Sequence, residues 1–337
     1  MRILIYSPQF SPQLGGVEVV TEQLARAWVA LGVAVVVVCH TPDPQGQQYP
    51  FKLLRNPDPW RWLRGVQGCD LVVYSCISLK GLWPLVLTGK PWAAIHHTWY
   101  RRPDGSVGWA ERLKLAVMGW ARLNIAVSGA IAAHLPVPAL VIENPYADDL
   151  FNEYSTPEER SHRLIFVGRL VSDKGVDLLI TALAHLKQRG LQPDLTIIGT
   201  GPELPRLEAQ VIAEGLQSQV RFWGELPPMA VAEQLNHHQI LVIPSRWQEP
   251  FGIVALEGMA CGCVVIGSEG GGLKDAIGPG GMTFPNGDVA ALTEAIATLL
   301  TEPQTCTEYR QAAQAHLERH QREAIARQYL QAFQAHC

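Results

Sequence analysis

The chain has 337 residues, 47% apolar and 17% charged, with a formal net charge of −4. That length exceeds one ordinary core and suits two domains of roughly 150 residues each. Seven cysteines with no C-x-x-C pair argue against a disulfide framework and a zinc site, and the mildly acidic balance argues against a nucleic-acid partner. The charge is unevenly divided: residues 1–150 carry 13 Lys and Arg against 10 Asp and Glu, and residues 151–337 carry 14 against 21. The first half is therefore +3 and the second −7, which reads as solvated surface or as a first half that meets an anionic partner.

In chain order, Arg2–Ser7 reads as a buried strand, followed by a Pro/Gly loop to Gly15-Gly16 and a helix over Val17–Leu31, with Leu24, Ala27, Trp28 and Leu31 on one face. Gly32 ends that helix, and Val33–Cys39 is the next strand. Further strands are expected at Leu71–Ser75, Trp92–His96, Ile125–Val127 and Leu140–Ile142. The polar stretch Asn152–Arg163 reads as a hinge. Beyond it the opening repeats: strand Arg163–Gly168, loop Arg169–Lys174, helix Gly175–Arg189, strand Asp194–Gly199. Strands at Val220–Trp223, Ile240–Ile243 and Val264–Gly267 follow, and a helical pattern runs from Glu308 to the end. Two βαβ openings about 160 residues apart, each with continuous apolar strands, predict an α/β chain of two doubly wound parallel-sheet domains. The start, MRILIYSPQF, lacks a secretory leader pattern, and the apolar run Ala27–Cys39 is too short to span a bilayer. The expected location is cytoplasmic.

The most informative segment is EPFGIVALE, Glu249–Glu257. Pro250 biases Glu249 away from helical geometry, and the run from Gly252 reads as a helix opening after a short loop. Unpaired N–H groups and the positive end of a helix dipole then stand beside two carboxylates, which suits a ligand that is part phosphate and part sugar. In GRLVSDKG, Arg169 and Lys174 fall at the carboxyl end of a strand, where two cations can span a diphosphate. Gly15 and Gly16 permit close backbone approach of a phosphate before a helix, or simply make a tight turn; no G-x-G-x-x-G fingerprint is present there. His96 and His97 follow a strand and point in opposite directions, so only one can face a ligand. The loop Ile197–Glu203 lines a nucleotide base or is a plain turn. Trp60 and Trp62, with Arg61 and Arg64, are candidates for a sugar or a membrane surface.

These motifs together resemble the retaining nucleotide-sugar glycosyltransferases of the GT-B fold, the E-x7-E group (glycosyltransferase family 4, glycosyl transferases group 1). The matching segments run nearly end to end: Gly15–Glu18, His97–Thr98, Ala126–Ile131, Asn144–Phe151, Gly168–Gly175, Ile197–Leu204, Pro244–Gly262 and Ser268–Ile277. Departures from the family pattern occur at Pro145, Gly258, Cys263 and Asp275 and bear on subfamily and substrate.

The resemblance implies two Rossmann-like domains facing an interdomain cleft: residues 1–152 for the acceptor, 153–306 for the nucleotide-sugar donor, and a helix over 307–337 packing back toward the first. It implies that Glu257 binds the ribose hydroxyls and that Glu249 contacts the donor sugar, with the backbone N–H groups of Phe251, Gly252, Ile253 and Val254 nearby. Arg169 and Lys174 would neutralise the departing diphosphate, Gly15 and Gly16 would approach it, and His97 would lie near the reaction centre. The implied reaction moves a sugar from a nucleoside-diphosphate sugar, with UDP favoured and GDP an alternative, to an acceptor hydroxyl with retention of configuration. No cofactor or metal is expected, since no Asp-x-Asp pair occurs near these motifs. The acceptor is a carbohydrate, lipid or small molecule, and peripheral contact of the N-terminal domain with the inner face of a membrane is a candidate. A sugar-nucleotide epimerase or a non-catalytic nucleotide-sugar-binding protein is the alternative.

Overall fold

The computed structural model describes every residue except 13–14, 44–45 and 102–104. Part of the expected loop Phe10–Glu18 therefore lies outside the described residues. The chain divides into two units, Met1–Pro145 with Gln321–Cys337, and Tyr146–His320.

The first unit contains β1 (Arg2–Tyr6), α1 (Gly16–Ala30), β2 (Ala34–Cys39), β3 (Lys52–Arg55), α2 (Pro59–Gln67) and β4 (Leu71–Ser75). It continues with α3 (Trp83–Thr88), β5 (Trp92–His96), α4 (Trp109–Val117), β6 (Leu123–Ala126), α5 (Gly129–His134) and β7 (Leu140–Val141). Its parallel sheet has the order β3-β2-β1-β4-β5-β6-β7. The apolar runs of β1, β4 and β5 are buried along their length because helices cover both faces, and only Arg2 at the start of β1 reaches solvent. Connections leave β1 toward β2 on one side and resume at β4 on the other, so the strand order reverses between β1 and β4. The buried hydroxyls of Thr21 on α1 and Ser75 on β4 meet across that point at 2.7 Å.

The second unit contains β8 (His162–Val167), α6 (Val176–Gln188), β9 (Leu195–Ile198), α7 (Leu204–Ala213), β10 (Val220–Gly224), α8 (Pro228–His237) and β11 (His238–Ile243). Then come α9 (Ile253–Ala260), β12 (Val264–Ser268), α10 (Leu273–Ile277), β13 (Gly281–Phe284), α11 (Val289–Thr301) and α12 (Pro303–Arg319). The parallel order is β10-β9-β8-β11-β12-β13, with reversal between β8 and β11, where Leu164 and Ile165 pair with Ile240 and Leu241. Leu164, Phe166, Leu179, Leu183, Ile197 and Val242 anchor one continuous core. Asp288 caps α11 by accepting from the Ala291 N–H at 2.9 Å.

The expected α/β architecture of two Rossmann-like sheets is what the structure shows, with differences in detail. The segment read as one helix over 307–337 is two. Helix α12 belongs to the second unit, and α13 (Arg322–His336) belongs to the first. There Trp28 of α1 meets Tyr329 and Phe333 edge-on, with ring centroids 6.0 and 5.6 Å away, and donates its indole N–H to the Ala326 carbonyl. The division between units falls after Pro145, seven residues before the expected boundary at 152.

Asn152–Arg163, expected as a hinge, is packed into the second unit. Arg160 is only 3% exposed. Its guanidinium donates to the carbonyls of Ser155, Leu235, His238 and Cys261 and to Glu153 at 2.7–3.2 Å. A buried charge of this kind is tolerated because almost every N–H finds an oxygen. Trp62 is also not on the surface. It is buried and stacks on Tyr6 at 4.9 Å between centroids, leaving Trp60 exposed without it.

Replacing Arg160 with Ala strands four backbone carbonyls. Arg160→Ala should lower unfolding free energy by about 3 kcal/mol or more, read from the urea midpoint at unchanged slope. A loss below about 1 kcal/mol would show that the knot is not load sharing.

Candidate functional site

In the second unit the site is built where open α/β sheets bind ligands, at the carboxyl ends of the strands flanking the order reversal. After β8 the chain makes a 3-10 turn, Ser172–Lys174, which ends at Gly175 in left-handed geometry (φ 66). Glycine is required there, since a side chain would run into the Pro244 carbonyl at the end of β11. That close approach lets the loop after β11 dock on the turn. The Arg246 and Trp247 N–H groups donate to the Asp173 carbonyl at 2.8 and 3.1 Å, and the Arg246 guanidinium grips the Asp177 carboxylate at 2.5 and 2.7 Å.

The result is a direct ion pair across the reversal: Lys174 Nζ donates to Glu249 Oε1 at 2.6 Å, and Ser245 Oγ donates to the same oxygen at 2.6 Å. Glu249 is only 7% exposed. Two further ties fix its loop. Gly271 (φ 77) passes so close to the Glu249 carbonyl that no side chain would fit, and the Gly272 N–H donates to that carbonyl at 2.7 Å. Asn286 donates to the carbonyls of Ser245 and Arg246 while accepting from the Gly270 N–H.

Past Pro250, the Phe251 side chain turns into the core near His320, so only its backbone is available to a ligand. Gly252 (φ 102) starts α9 and no side chain caps the helix. The N–H groups of Ile253 and Val254 therefore have no intrahelical partner and stand at the positive end of the helix dipole, while the Ala255 N–H already donates to the Gly252 carbonyl at 3.0 Å. Glu257, one turn further, is half-buried, and desolvation pushes its carboxyl up to about 7. No side-chain hydrogen bond to it occurs among the described residues. Arg169 is exposed and forms no ion pair among the described residues, so the structure joins Lys174 to Glu249 and leaves Arg169 apart. The loop Ile197–Glu203 is tied to the Arg169 segment: Leu170 N–H donates to the Thr200 carbonyl and Glu203 N–H to the Leu170 carbonyl, at 2.8 and 3.1 Å.

In the first unit, Gly15 precedes α1 in extended geometry with no side-chain cap. The buried Glu18 carboxylate folds back over Gly15, where a side chain on that glycine would collide with it. An anion thus already stands at the α1 N-terminus beside Gly15 and Gly16. His96 is a core residue bonded to Tyr100 and Asn124 at 2.8 and 3.0 Å. His97 is 6% exposed, and among the described residues neither of its ring nitrogens nor Asn144 Oδ1 makes a hydrogen bond of normal geometry, although the Asn144 side chain lies against the imidazole. Burial, reinforced by His96, pushes the His97 imidazole down to about 3, so it is neutral at physiological pH. Cys76 (φ 66) links this region to Glu18: its thiol, pushed up to about 11 by burial, lies against the His97 backbone and in the field of Glu18. Among the described residues, no group of three His, Cys, Asp or Glu side chains is arranged to hold a metal ion.

Residues 149–316 match the family described as Glycosyl transferases group 1, and residues 14–136 match Glycosyltransferase Family 4. The chain belongs to the GT-B glycosyltransferases. The glycogen synthase of Mycobacterium tuberculosis is 34% identical over 163 residues, which are 48% of this chain and 39% of that protein. A GDP-mannose-dependent alpha-(1-6)-phosphatidylinositol monomannoside mannosyltransferase of Mycolicibacterium smegmatis is 34% identical over 152 residues, 42% of this chain and 39% of that one. The chain thus aligns with about two fifths of the length of these curated relatives. Sucrose-phosphate synthase from Thermosynechococcus elongatus superposes with a TM-score of 0.83 at 22% identity, covering 99% of this chain and 98% of that one. Anabaena Alr3699/HepE in complex with UDP superposes with a TM-score of 0.84 at 20% identity, covering 99% and 100%. At such identities the superpositions speak for the fold.

The sequence assigned no role of their own to Ser245, Asn286, Glu18 or Asn144. Ser245 lies four residues before Glu249, a spacing that could have flagged it. Asn286, in a Pro-Asn-Gly turn, carried no such signal.

Glu257 yields a test whose sign is fixed by its raised carboxyl. A group that holds its proton more tightly when folded stabilises the protein at low pH and loses that contribution as pH rises through about 7. Glu257→Gln should therefore be more stable than the parent by about 1–2 kcal/mol at pH 8 and indistinguishable at pH 4, measured by urea unfolding without ligand. Equal stability at both pH values would place the carboxylate in water.

Proposed function

We propose that this protein transfers a sugar from a nucleoside-diphosphate sugar to an acceptor hydroxyl with retention of anomeric configuration, as a hexosyltransferase. The observation that carries the reading is the Lys174–Glu249 ion pair beside the uncapped start of α9. It puts an ammonium, open amides and a carboxylate within one loop cluster, the set that a diphosphate joined to a hydroxyl-rich ring would use. The GT-B family membership gives the reaction class its support. A UDP-glucose complex of the structural neighbour HepE and the GDP-mannose dependence in the name of the mycobacterial relative support a nucleotide-sugar donor, and UDP is the base we favour.

In this reading Lys174 and Arg169 neutralise charge as it builds on the departing phosphate, and the N–H groups of Ile253 and Val254 contribute oriented dipoles. Glu249 holds Lys174 in place and accepts a hydroxyl of the donor sugar. Glu257 accepts the ribose hydroxyls, a role its unpartnered carboxyl suits. The departing phosphate assists deprotonation of the acceptor on the same face of the sugar. His97, neutral and buried beside Asn144, can donate through one nitrogen and accept through the other. Gly15 and Gly16 keep the α1 N-terminus open to a ligand, with Glu18 biasing it toward hydroxyl donors. The cations perform the electrostatic work that a metal performs elsewhere, so transfer should not require one. All seven cysteines are free thiols, five of them buried, which supports a reducing compartment.

A thermal-shift panel of uridine, guanosine and adenosine diphosphates tests the donor. The matching nucleotide at a hundred times its dissociation constant should add about 2.7 kcal/mol of stability. Lys174→Ala should then lower kcat of transfer by about 100-fold or more, with EDTA without effect. Turnover of the nucleotide sugar without any acceptor product would favour an epimerase, and near-parental kcat in Lys174→Ala would remove the leaving-group role.

A further inference from the structure

The start of α1 holds a buried carboxylate that no protein group answers. Glu18 is 6% exposed, yet it makes no hydrogen bond or ion pair among the described residues, and α1 has no side-chain cap. Its carboxylate lies over Gly15, where any β-carbon would collide with it. The α1 dipole favours a negative charge at that end and offsets part of the cost of burial. An ionised carboxylate still offers acceptors only, and its desolvation is relieved when donors reach it.

The topology puts further polar groups beside it. Thr21, three residues on and on the same face of α1, shares a 2.7 Å hydrogen bond with Ser75 at the end of β4. That contact brings Glu18 close to Cys76, whose thiol lies in the Glu18 field. Cys76 leaves β4 in left-handed geometry (φ 66), a costly conformation for a residue with a side chain. Its N–H donates to the Ile95 carbonyl of β5 at 2.9 Å, and its thiol lies against the His97 backbone. The buried His97 ring has only the Asn144 side chain at hand. Lys114 of α4 also reaches Cys76 with its field, but it does not pair with Glu18. A carboxylate, a thiol, a neutral imidazole and an amide suit hydroxyl groups, which donate to the first and exchange with the rest. A phosphate brought to Glu18 would meet like charge.

We propose that Glu18, Cys76, His97 and Asn144 form a polyol subsite that takes hydroxyls of an uncharged acceptor and excludes a phosphate at Glu18. Calling the ligand an acceptor rests on the transfer reaction proposed above; the subsite itself rests on the first unit alone. Of the seven thiols, five are buried and Cys337 is exposed, so in a Cys337→Ser background the half-buried Cys76 reports on this place. The test follows labelling of Cys76 by hydroxyethyl methanethiosulfonate, read by mass spectrometry of its peptide, in the absence of nucleotide. Glycerol, sorbitol, methyl glucopyranoside or inorganic phosphate is added at matched ionic strength. At least one polyol should slow labelling saturably by about threefold or more, and phosphate should not. Glu18→Gln should abolish that protection with circular dichroism unchanged, and the comparison of polyol with phosphate in the parent decides the ligand class even should the variant fail to fold. Protection by phosphate, protection by no polyol, a Cys76 that never labels, or protection retained in Glu18→Gln would each overturn the proposal. Failure of the nucleotide panel would instead remove the acceptor name and leave the subsite standing.

Discussion

The second unit is organised around one ion pair, Lys174 with Glu249, which joins the two loops on either side of the point where strand order reverses. A parallel doubly wound sheet leaves a crevice at that point because successive crossovers diverge, and something must hold its two rims at a fixed spacing. Here a half-buried ammonium and an almost fully buried carboxylate do so, with Ser245 supplying a second donor to the same oxygen. The pair serves two ends. It satisfies a carboxylate that would otherwise be desolvated without compensation, and it keeps a cation beside the open amides of α9.

Such a pair is only as rigid as its backbone supports, and these are unusually numerous. The Asp173 carbonyl takes two N–H groups from the opposite loop, Arg246 clamps Asp177, and Asn286 bonds carbonyls on one side and an N–H on the other. Left-handed glycines at 175 and 271 allow the backbones to approach closely enough for these bonds. A site prearranged in this way loses little ordering entropy when its ligand arrives, which is where preorganised charge gains its catalytic value. The first unit shows the opposite condition: among the described residues the buried His97 nitrogens and Asn144 Oδ1 have only each other's side chains at hand and no hydrogen bond of normal geometry, a state that an incoming hydroxyl would relieve.

Much of this was legible in the residues. Continuous apolar runs marked the buried strands within a residue or two of where they lie, and the spacing of Glu249, Glu257, Arg169 and Lys174 marked the loops at the strand ends. Of the four edge strands, β7 and β10 were legible, and β3 and β13 were not. Lys52–Arg55 holds only two leucines between two charges, and Gly281–Phe284 begins with glycine, so neither has the apolar density of a central strand. The break between α12 and α13 escaped because the apolar spacing runs through His320 and Gln321 with no glycine or proline to interrupt it. Arg160 and Trp62 were misplaced for a related reason. Composition assigns arginine and tryptophan-arginine runs to surfaces, whereas carbonyl clustering around one and ring stacking on the other are properties of the folded chain. The partners of Glu249 were invisible for the same cause, since a serine or asparagine acquires meaning only from what the topology puts beside it.

The account rests on Lys174 meeting a diphosphate rather than merely steadying Glu249, and calorimetry separates these. Lys174→Met should weaken binding of UDP by about tenfold or more while leaving uridine, which lacks the phosphates, bound as before. An equal loss for both ligands, or for neither, would show that the ammonium holds the loop and does not touch the phosphate.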